Sequence, residues 1–362
     1  MLYKDLVIIG GGPAGLQAAI KAAEVGQDVL IIDRFWCLGG QLIKQTHMFF
    51  GSEKQYAKTR GFDIANKLIN EINDYKELVT IWINATVLGL YADKVITVYK
   101  ENEYIRVKAK AIIVATGASE RVLAFENNDL PGIYGAGAIQ TLMNVYGIKP
   151  GSKVLMVGSG NIGLIVSYQL MQAGVQIIAI VEASNKISGY KVHASKIKRL
   201  GIDILTSTTI KRAIGLEKVT EVVLINLDQN WEELKGTEKI IPVDGVCIAV
   251  GLMPLTNLLA MAGAKMKYIG ELGGLVAITN SNFETSLDNV FVCGDASSVE
   301  EASSAMVEGM IAGLVASKKL GRIINDYEER LNDYQNQLIV LRKGPFGSKI
   351  RNGIEKMVKE LC

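Results

Sequence analysis

The sequence predicts an α/β protein of two three-layer domains, the second inserted in the first and each carrying a small antiparallel layer. Three observations predict it. An apolar strand runs into a glycine-rich turn and a helical stretch twice, at residues 6–15 and 154–163. Each of these units leads to a second apolar strand that ends in an acid. Each is later closed by an apolar strand with a glycine after it, at 111–117 and 245–251, with short alternating strands in between.

The first unit reads Leu6-Val7-Ile8-Ile9-Gly10-Gly11-Gly12-Pro13-Ala14-Gly15. In G-x-G-x-x-G, Gly10 permits the tight turn, Gly12 lets the backbone approach a pyrophosphate, and Gly15 lets the helix sit close on its strand. The helix N-terminus, starting at Pro13 and Ala14, offers unpaired N–H groups and a partial positive charge to the anion. Residues 16–25 read as a helix ended by Gly26, and residues 28–33 as a strand ending in Asp33, with Arg34 beside it. Asp33 falls 18 residues beyond Gly15, where a carboxylate accepts hydrogen bonds from ribose hydroxyls.

Residues 79–107 alternate apolar and polar side chains in short strands such as Val95-Ile96-Thr97-Val98-Tyr99, the pattern of an antiparallel layer. The strand Ala111-Ile112-Ile113-Val114-Ala115-Thr116-Gly117 closes the first part, residues 1–117. The inserted domain, 118–252, opens on a connection through Pro131-Gly132 and has its body from about residue 150. There Gly158, Gly160 and Gly163 repeat the turn, with Asn161 and Ile162 opening the helix, and Glu182 ends the next strand 19 residues beyond Gly163. Two such turns imply two dinucleotides, one of which can pass electrons to the other. The chain returns to its first domain over 253–322, through Val292-Cys293-Gly294-Asp295-Ala296 and a helix from about 300 to 320. Residues 323–362 read as a charged helical tail broken at Gly344-Pro345, a packing or oligomer element.

Bulk properties narrow the function. Apolar content of 49% and charged content of 21% fit a folded globular chain. A net charge of +2, with no basic run interleaved with aromatics, gives no reason to expect nucleic acid. The apolar stretch 243–264 is interrupted by Asp244, Gly251 and Pro254, which argues against a membrane span. Entry into a core strand almost at once leaves no room for a signal peptide, so the expected compartment is the cytoplasm. The four cysteines, Cys37, Cys247, Cys293 and Cys362, include no C-x-x-C or C-x4-C pair, and the histidines are only His47 and His193. A dithiol centre, a zinc site and an iron–sulfur cluster are therefore all excluded for this chain. Cys247 and Cys293 read as inert core residues, and Cys37, beside a glycine pair, as a bystander within reach of a cofactor.

Five features in order resemble a known superfamily: Gly10 to Gly15 with Asp33, Gly39-Gly40-Gln41-Leu42, Ala115-Thr116-Gly117, the second turn, and Gly294-Asp295-Ala296. They resemble the two-dinucleotide-binding-domain flavoproteins of the pyridine nucleotide-disulfide oxidoreductase superfamily, whose domains are Rossmann-like. By that resemblance the outer domain holds FAD and the inserted one NAD(P). Asp33 would bind the adenosine ribose, Val87 would meet the adenine through its backbone, and Gly40 and Gln41 would pass the flavin and its phosphates. Ala115, Thr116 and Gly117 would cross beside the cofactor, and Asp295 would hydrogen-bond the ribityl chain or cap its own helix. Glu301 and Ala302 would start a helix whose N-terminus faces the flavin ring, a dipole suited to the reduced anion. Glu182 favours NAD over NADP because an acid repels a 2′-phosphate, while ADP or ATP filling that site without chemistry stays open.

The stretch from Ala115 through Ile133 to Gln140 is similar, more narrowly, to the alpha-type subunits of multimeric sarcosine oxidase. Opine oxidase, hydrogen cyanide synthase and dye-linked proline dehydrogenase have related subunits. The resemblance implies an FAD-dependent oxidoreductase, a subunit of an amine or amino-acid dehydrogenase complex with a second flavoprotein as partner and a small-molecule substrate. A stand-alone NAD(P)H-dependent flavin oxidoreductase reducing oxygen, a quinone or ferredoxin is the alternative, and a flavin-bearing scaffold the third. Hydride transfer needs alignment rather than a side-chain acid, so no catalytic residue is assigned. Lys44, Thr46 and His47 follow the Gly40-Gln41 loop and could polarise a substrate, and Phe49-Phe50 reads as core packing.

Overall fold

A computed structural model describes residues 1–49 and 52–358. The chain divides into two compact units, one of residues 1–119 and 253–362, the other of residues 120–252.

In the first unit five parallel strands lie in the order Val79–Trp82, Val29–Ile32, Leu2–Ile9, Glu103–Val114 and Val290–Val292. Glu103–Val114 is long enough to serve twice. Ile112 to Val114 pair parallel with Val290–Val292, and its earlier residues pair antiparallel with Val95–Lys100, which in turn pairs with Ala85–Leu90. Successive side chains of a strand point to opposite faces, and both faces here are covered. Leu6 and Ile8 join the core under the helices Pro13–Ala23, Gly61–Asn73 and Ala302–Lys319. Val7 and Ile9 join Ala85, Leu90, Ile96, Val98 and Val107 of the antiparallel layer. The result is a helix layer, a parallel sheet and an antiparallel layer, as the sequence predicts.

Two of those helices cross with almost nothing between them. A Cβ on Gly309 would stand 2.0 Å from the Ala14 carbonyl oxygen, and one on Gly313 2.3 Å from that of Ala18. Only hydrogen fits at either position, so Ala302–Lys319 lies directly on the backbone of Pro13–Ala23.

The second unit repeats the plan. Its parallel strands lie in the order Ile204–Thr206, Gln176–Glu182, Lys153–Val157, Gly245–Ile248 and Ile133–Gly135. Met156, Ile180 and Cys247 face the helices, and Leu155, Val157, Val181 and Val246 face the antiparallel strands Thr208–Gly215, Val219–Asn226 and Lys239–Pro242. Ile133–Gly135 and the helix Ala136–Asn144 fall in the stretch read as a connection before about residue 150. A three-residue strand carries no readable alternation, and its partner Gly245–Ile248 lies more than a hundred residues on.

The return segment holds more structure than its composition shows. A hairpin of Met266–Ile269 and Gly274–Ala277 precedes the strand Val290–Val292. Two tail helices follow, Tyr327–Leu341 and Pro345–Val358. The first packs Leu331, Tyr334 and Leu338 into the helix-side core, and the second sets Ile350, Ile354 and Met357 on the hairpin. No described helix is long and apolar enough to cross a membrane.

Candidate nucleotide sites

The first glycine turn has a geometry that only its sequence permits. Gly10 sits at φ +108°, and a Cβ there would lie 2.3 Å from the Ala115 carbonyl oxygen. A Cβ on Gly15 would lie 1.9 Å from the Gly10 carbonyl oxygen, so the helix could not reach its strand with any larger residue. Gly12 precedes the helix in extended conformation with Pro13 in the first turn, and no side chain caps that end. The first-turn N–H groups are thus left for an anion. Ala14 is buried beside them.

Asp33 closes the turn from the neighbouring strand. Its Oδ2 accepts the Gly11 N–H at 2.6 Å and its Oδ1 accepts the Phe35 N–H at 2.8 Å. The Asp33 carbonyl accepts the Ala85 N–H at 2.9 Å, which brings the strand carrying Val87 alongside. Arg34 is exposed. The following loop folds back over the turn: Gly39 N–H donates to the Gly11 carbonyl at 2.8 Å, and a Cβ on Gly40 would come within 2.7 Å of Gly12 Cα. Gln41 is exposed in the short helix Gly40–Lys44. At the closing strand, Thr116 Oγ1 donates to the Leu255 carbonyl at 2.7 Å, and the Gly117 carbonyl accepts the Leu255 N–H at 2.9 Å.

The return segment comes to the same region. Gly294 N–H donates to Glu308 Oε2 at 2.8 Å, and a Cβ on Gly294 would be 2.8 Å from Ala14 Cβ. Asp295 lies deep among protein atoms with part of its surface still wet, and burial pushes its carboxyl up to about 7. It does not cap the helix: the cap position is Glu301, ahead of Ala302, while Asp295 Oδ1 takes the Glu300 N–H at 3.3 Å. No side chain caps that helix either. The chain thus brings two uncapped helix ends, a glycine cradle and two acids into one unit, a donor set that suits a pyrophosphate, a ribose and an anionic ring system.

The second turn copies the first. Gly158 is at φ +107° with its Cβ position 2.3 Å from the Ala249 carbonyl oxygen, and that of Gly163 is 2.2 Å from the Gly158 carbonyl oxygen. Gly160 precedes the helix Asn161–Gln172 without a side-chain cap, and Ile162 is exposed. Asn161 Oδ1 accepts the Tyr190 N–H at 2.8 Å. Glu182 is held more firmly than Asp33. Its Oε2 accepts from Ser159 N at 3.0 Å, Ser159 Oγ at 2.6 Å and Ser188 Oγ at 3.1 Å, and its Oε1 accepts the Ser184 N–H at 3.0 Å. Ser159 and Ser188 are residues that the sequence pattern does not single out, the first occupying a variable position of the turn and the second a loop.

Cys247 and Cys293 are fully buried, and burial pushes both thiols well above their ordinary range. Cys37 is half-buried, with burial and then Asp33 raising its thiol. Among the described residues no group of His, Cys, Asp and Glu could hold a metal ion. His47 stacks on Phe49 at 5.9 Å between ring centres, Phe49 belongs to the core, and Phe50 and Cys362 lie outside the described residues. Lys44 ends its short helix, and the Thr46 carbonyl accepts from Arg60 at 2.5 Å.

Two glycine turns of dinucleotide-binding geometry, one on each parallel-sheet unit, define the class of two-Rossmann-domain proteins. The chain belongs to the pyridine nucleotide-disulphide oxidoreductase family, which its residues 4–309 match. Members of that family bind FAD and use NAD(P). The chain is 24% identical to one of the subunits of the opine oxidase of Agrobacterium tumefaciens (strain Ach5), over 87% of this chain and 65% of that one. It is 26% identical to the alpha subunit of the sarcosine oxidase of Rhizobium meliloti (strain 1021), over 88% of this chain but 31% of the relative. The crystal structure of L-proline dehydrogenase from P. horikoshii superposes with a TM-score of 0.68 at 26% identity, covering 92% of this chain and 59% of that chain. The chain thus spans less than two thirds of each of these proteins.

Proposed function

We propose that this FAD-dependent oxidoreductase is the electron-handling subunit of an amine or amino-acid dehydrogenase or oxidase complex. The observation that carries the reading is a pair of intact nucleotide turns in a chain with no C-x-x-C or C-x4-C pair. Electrons gathered at the first site therefore leave by a second nucleotide or a redox partner, not by a dithiol of this chain. Relatives named as oxidase subunits support assembly with a further subunit, which in this reading is a flavoprotein that meets the amine.

FAD is assigned to the unit containing Gly10 and Asp295. Gly10, Gly12 and Gly15 give the pyrophosphate room, the Pro13–Ala23 helix end supplies N–H donors, and Asp33 is placed for the ribose. FAD held there would supply hydride and electron transfer. Asp295 would hold a proton or a ribityl hydroxyl, and the N–H groups after Glu301 would stabilise negative charge on the ring. NAD rather than NADP is assigned to the second turn, because a 2′-phosphate would meet the Glu182 carboxylate. Ser159 and Ser188 keep that carboxylate facing its own turn.

The test is an anaerobic visible spectrum of the FAD-loaded chain before and after NADH, and then before and after a panel of amino acids. Both are run on the chain alone and on the chain co-expressed with its genomic neighbour. Flavin bleaching by an amino acid only in the co-expressed complex is the expected result. Turnover of NADH by the chain alone, with oxygen or a quinone as acceptor, would establish the stand-alone alternative. A folded chain that refuses FAD defeats both.

A further inference from the structure

Arg342 ends the tail helix Tyr327–Leu341, outside every nucleotide motif, yet it is enclosed between two carboxylates of the return segment. Its Nε donates to Glu300 Oε2 and Oε1 at 3.0 and 3.2 Å. Its Nη2 reaches Glu300 Oε1 and Glu308 Oε1, each at 2.5 Å. The three side chains are 11%, 6% and 1% exposed for Arg342, Glu300 and Glu308. Both carboxylates go on to hold the segment that carries Asp295. Glu308 takes the Gly294 N–H with its other oxygen, Ser298 Oγ donates to Glu300 Oε1 at 2.7 Å, and the Glu300 N–H goes to Asp295 Oδ1. One guanidinium therefore fixes both ends of the turn between Gly294 and Ala302.

A residue that only docked the tail would not need this arrangement. The tail helix is already seated by Leu331, Tyr334 and Leu338 in the core, by an Arg330–Glu24 ion pair, and by a Gln55 Nε2 to Gln337 hydrogen bond of 2.6 Å. Arg342 instead serves an acidic neighbourhood: Asp295, Glu300, Glu301 and Glu308 crowd the start of the helix Ala302–Lys319. Burial pushes Glu308 well up while the Arg342 charge pulls it back. Removing the cation from such a site leaves buried carboxylates that must protonate or move, and Gly294 and Asp295 move with them.

We propose that Arg342 is a positioning residue for the flavin site, clamping Glu300 and Glu308 so that Asp295 and the Ala302–Lys319 helix end are presented to the cofactor. The inference rests on the proposed FAD assignment. Its test is FAD affinity of the full chain, measured by flavin fluorescence on reconstituting the apo-protein, with melting temperature and flavin midpoint potential recorded beside it. Arg342→Met is expected to weaken FAD binding by about tenfold or more, the scale of losing a buried charge-assisted contact, and to shift the potential. Arg342→Lys, which keeps the charge without the fork, should recover part of the loss. Arg330→Met, which cuts the tail's other arginine pair, should lower the melting temperature and leave FAD affinity and potential unchanged. If Arg342→Met does not fold, Arg342→Met with Glu308→Gln removes the more deeply buried of the two unpaired charges while keeping an acceptor for Gly294, and the same loss is expected. Wild-type affinity and potential in either folded Arg342 variant overturn the proposal. A wild-type chain that binds no FAD overturns the assignment of the site instead.

Discussion

Asp295→Asn should make the first unit's stability less dependent on pH, with a predictable sign. Burial raises the carboxyl from 3.8 to about 7 in the folded apo-protein. Between those values the folded chain keeps a proton that the unfolded chain has lost, so stability falls as pH rises through the window and levels off above about 7. The full shift of about 3 pH units corresponds to about 4 kcal/mol, which solvent reaching the half-buried carboxyl reduces to about 2 kcal/mol. Asparagine keeps the shape and cannot ionise. The gap between variant and wild type should therefore widen in the variant's favour by about 1–2 kcal/mol from pH 5 to pH 8. The measurement is urea unfolding of FAD-free protein followed by tryptophan fluorescence in a Trp231→Phe background. That leaves Trp36 and Trp82, both in the first unit, as reporters. Glu71, whose carboxyl burial also raises, is common to both proteins and cancels in the difference, whereas Glu308 feels the Asp295 charge and loses that part of its upward shift in the variant. Parallel stability profiles for variant and wild type across pH 5–8 would refute the reasoning.

Two further outcomes are expected. Gly163→Ala puts a methyl 2.2 Å from the Gly158 carbonyl oxygen, so it should weaken NADH binding in calorimetry by at least about tenfold while bound FAD, read from its absorbance, stays. Alkylation with a maleimide, mapped by peptide mass spectrometry, should leave Cys247 and Cys293 unlabelled in the folded chain and label both in denaturant; labelling of either under native conditions would contradict their burial.

The parts of the fold legible in the sequence are those where one residue type is required. Gly10, Gly15, Gly158 and Gly163 each face a carbonyl oxygen at a distance no Cβ tolerates, so the glycines must appear at that spacing whatever surrounds them. The parallel strands were legible because both their faces are covered and both must be apolar. What escaped is made by distant partners. Ile133–Gly135 is a strand only because Gly245–Ile248 lies beside it. Ser159 and Ser188 acquire a role only once folding brings Glu182 to them, and Arg342 only once the tail helix docks. Hydroxyls and guanidinium groups have no periodicity, so nothing local marks them.

The seam where Gly309 and Gly313 rest on Ala14 and Ala18 has a mechanical meaning. Two stretches of chain nearly three hundred residues apart in sequence are welded into one strut, because a contact made of backbone has no side chain to flex. The glycine turn and Gly294 meet at the same end of the strut, beside Ala14, so a cofactor seated there is held by two distant parts of the chain acting as a single rigid body. The polypeptide between residues 119 and 253 contributes no residue to that seam.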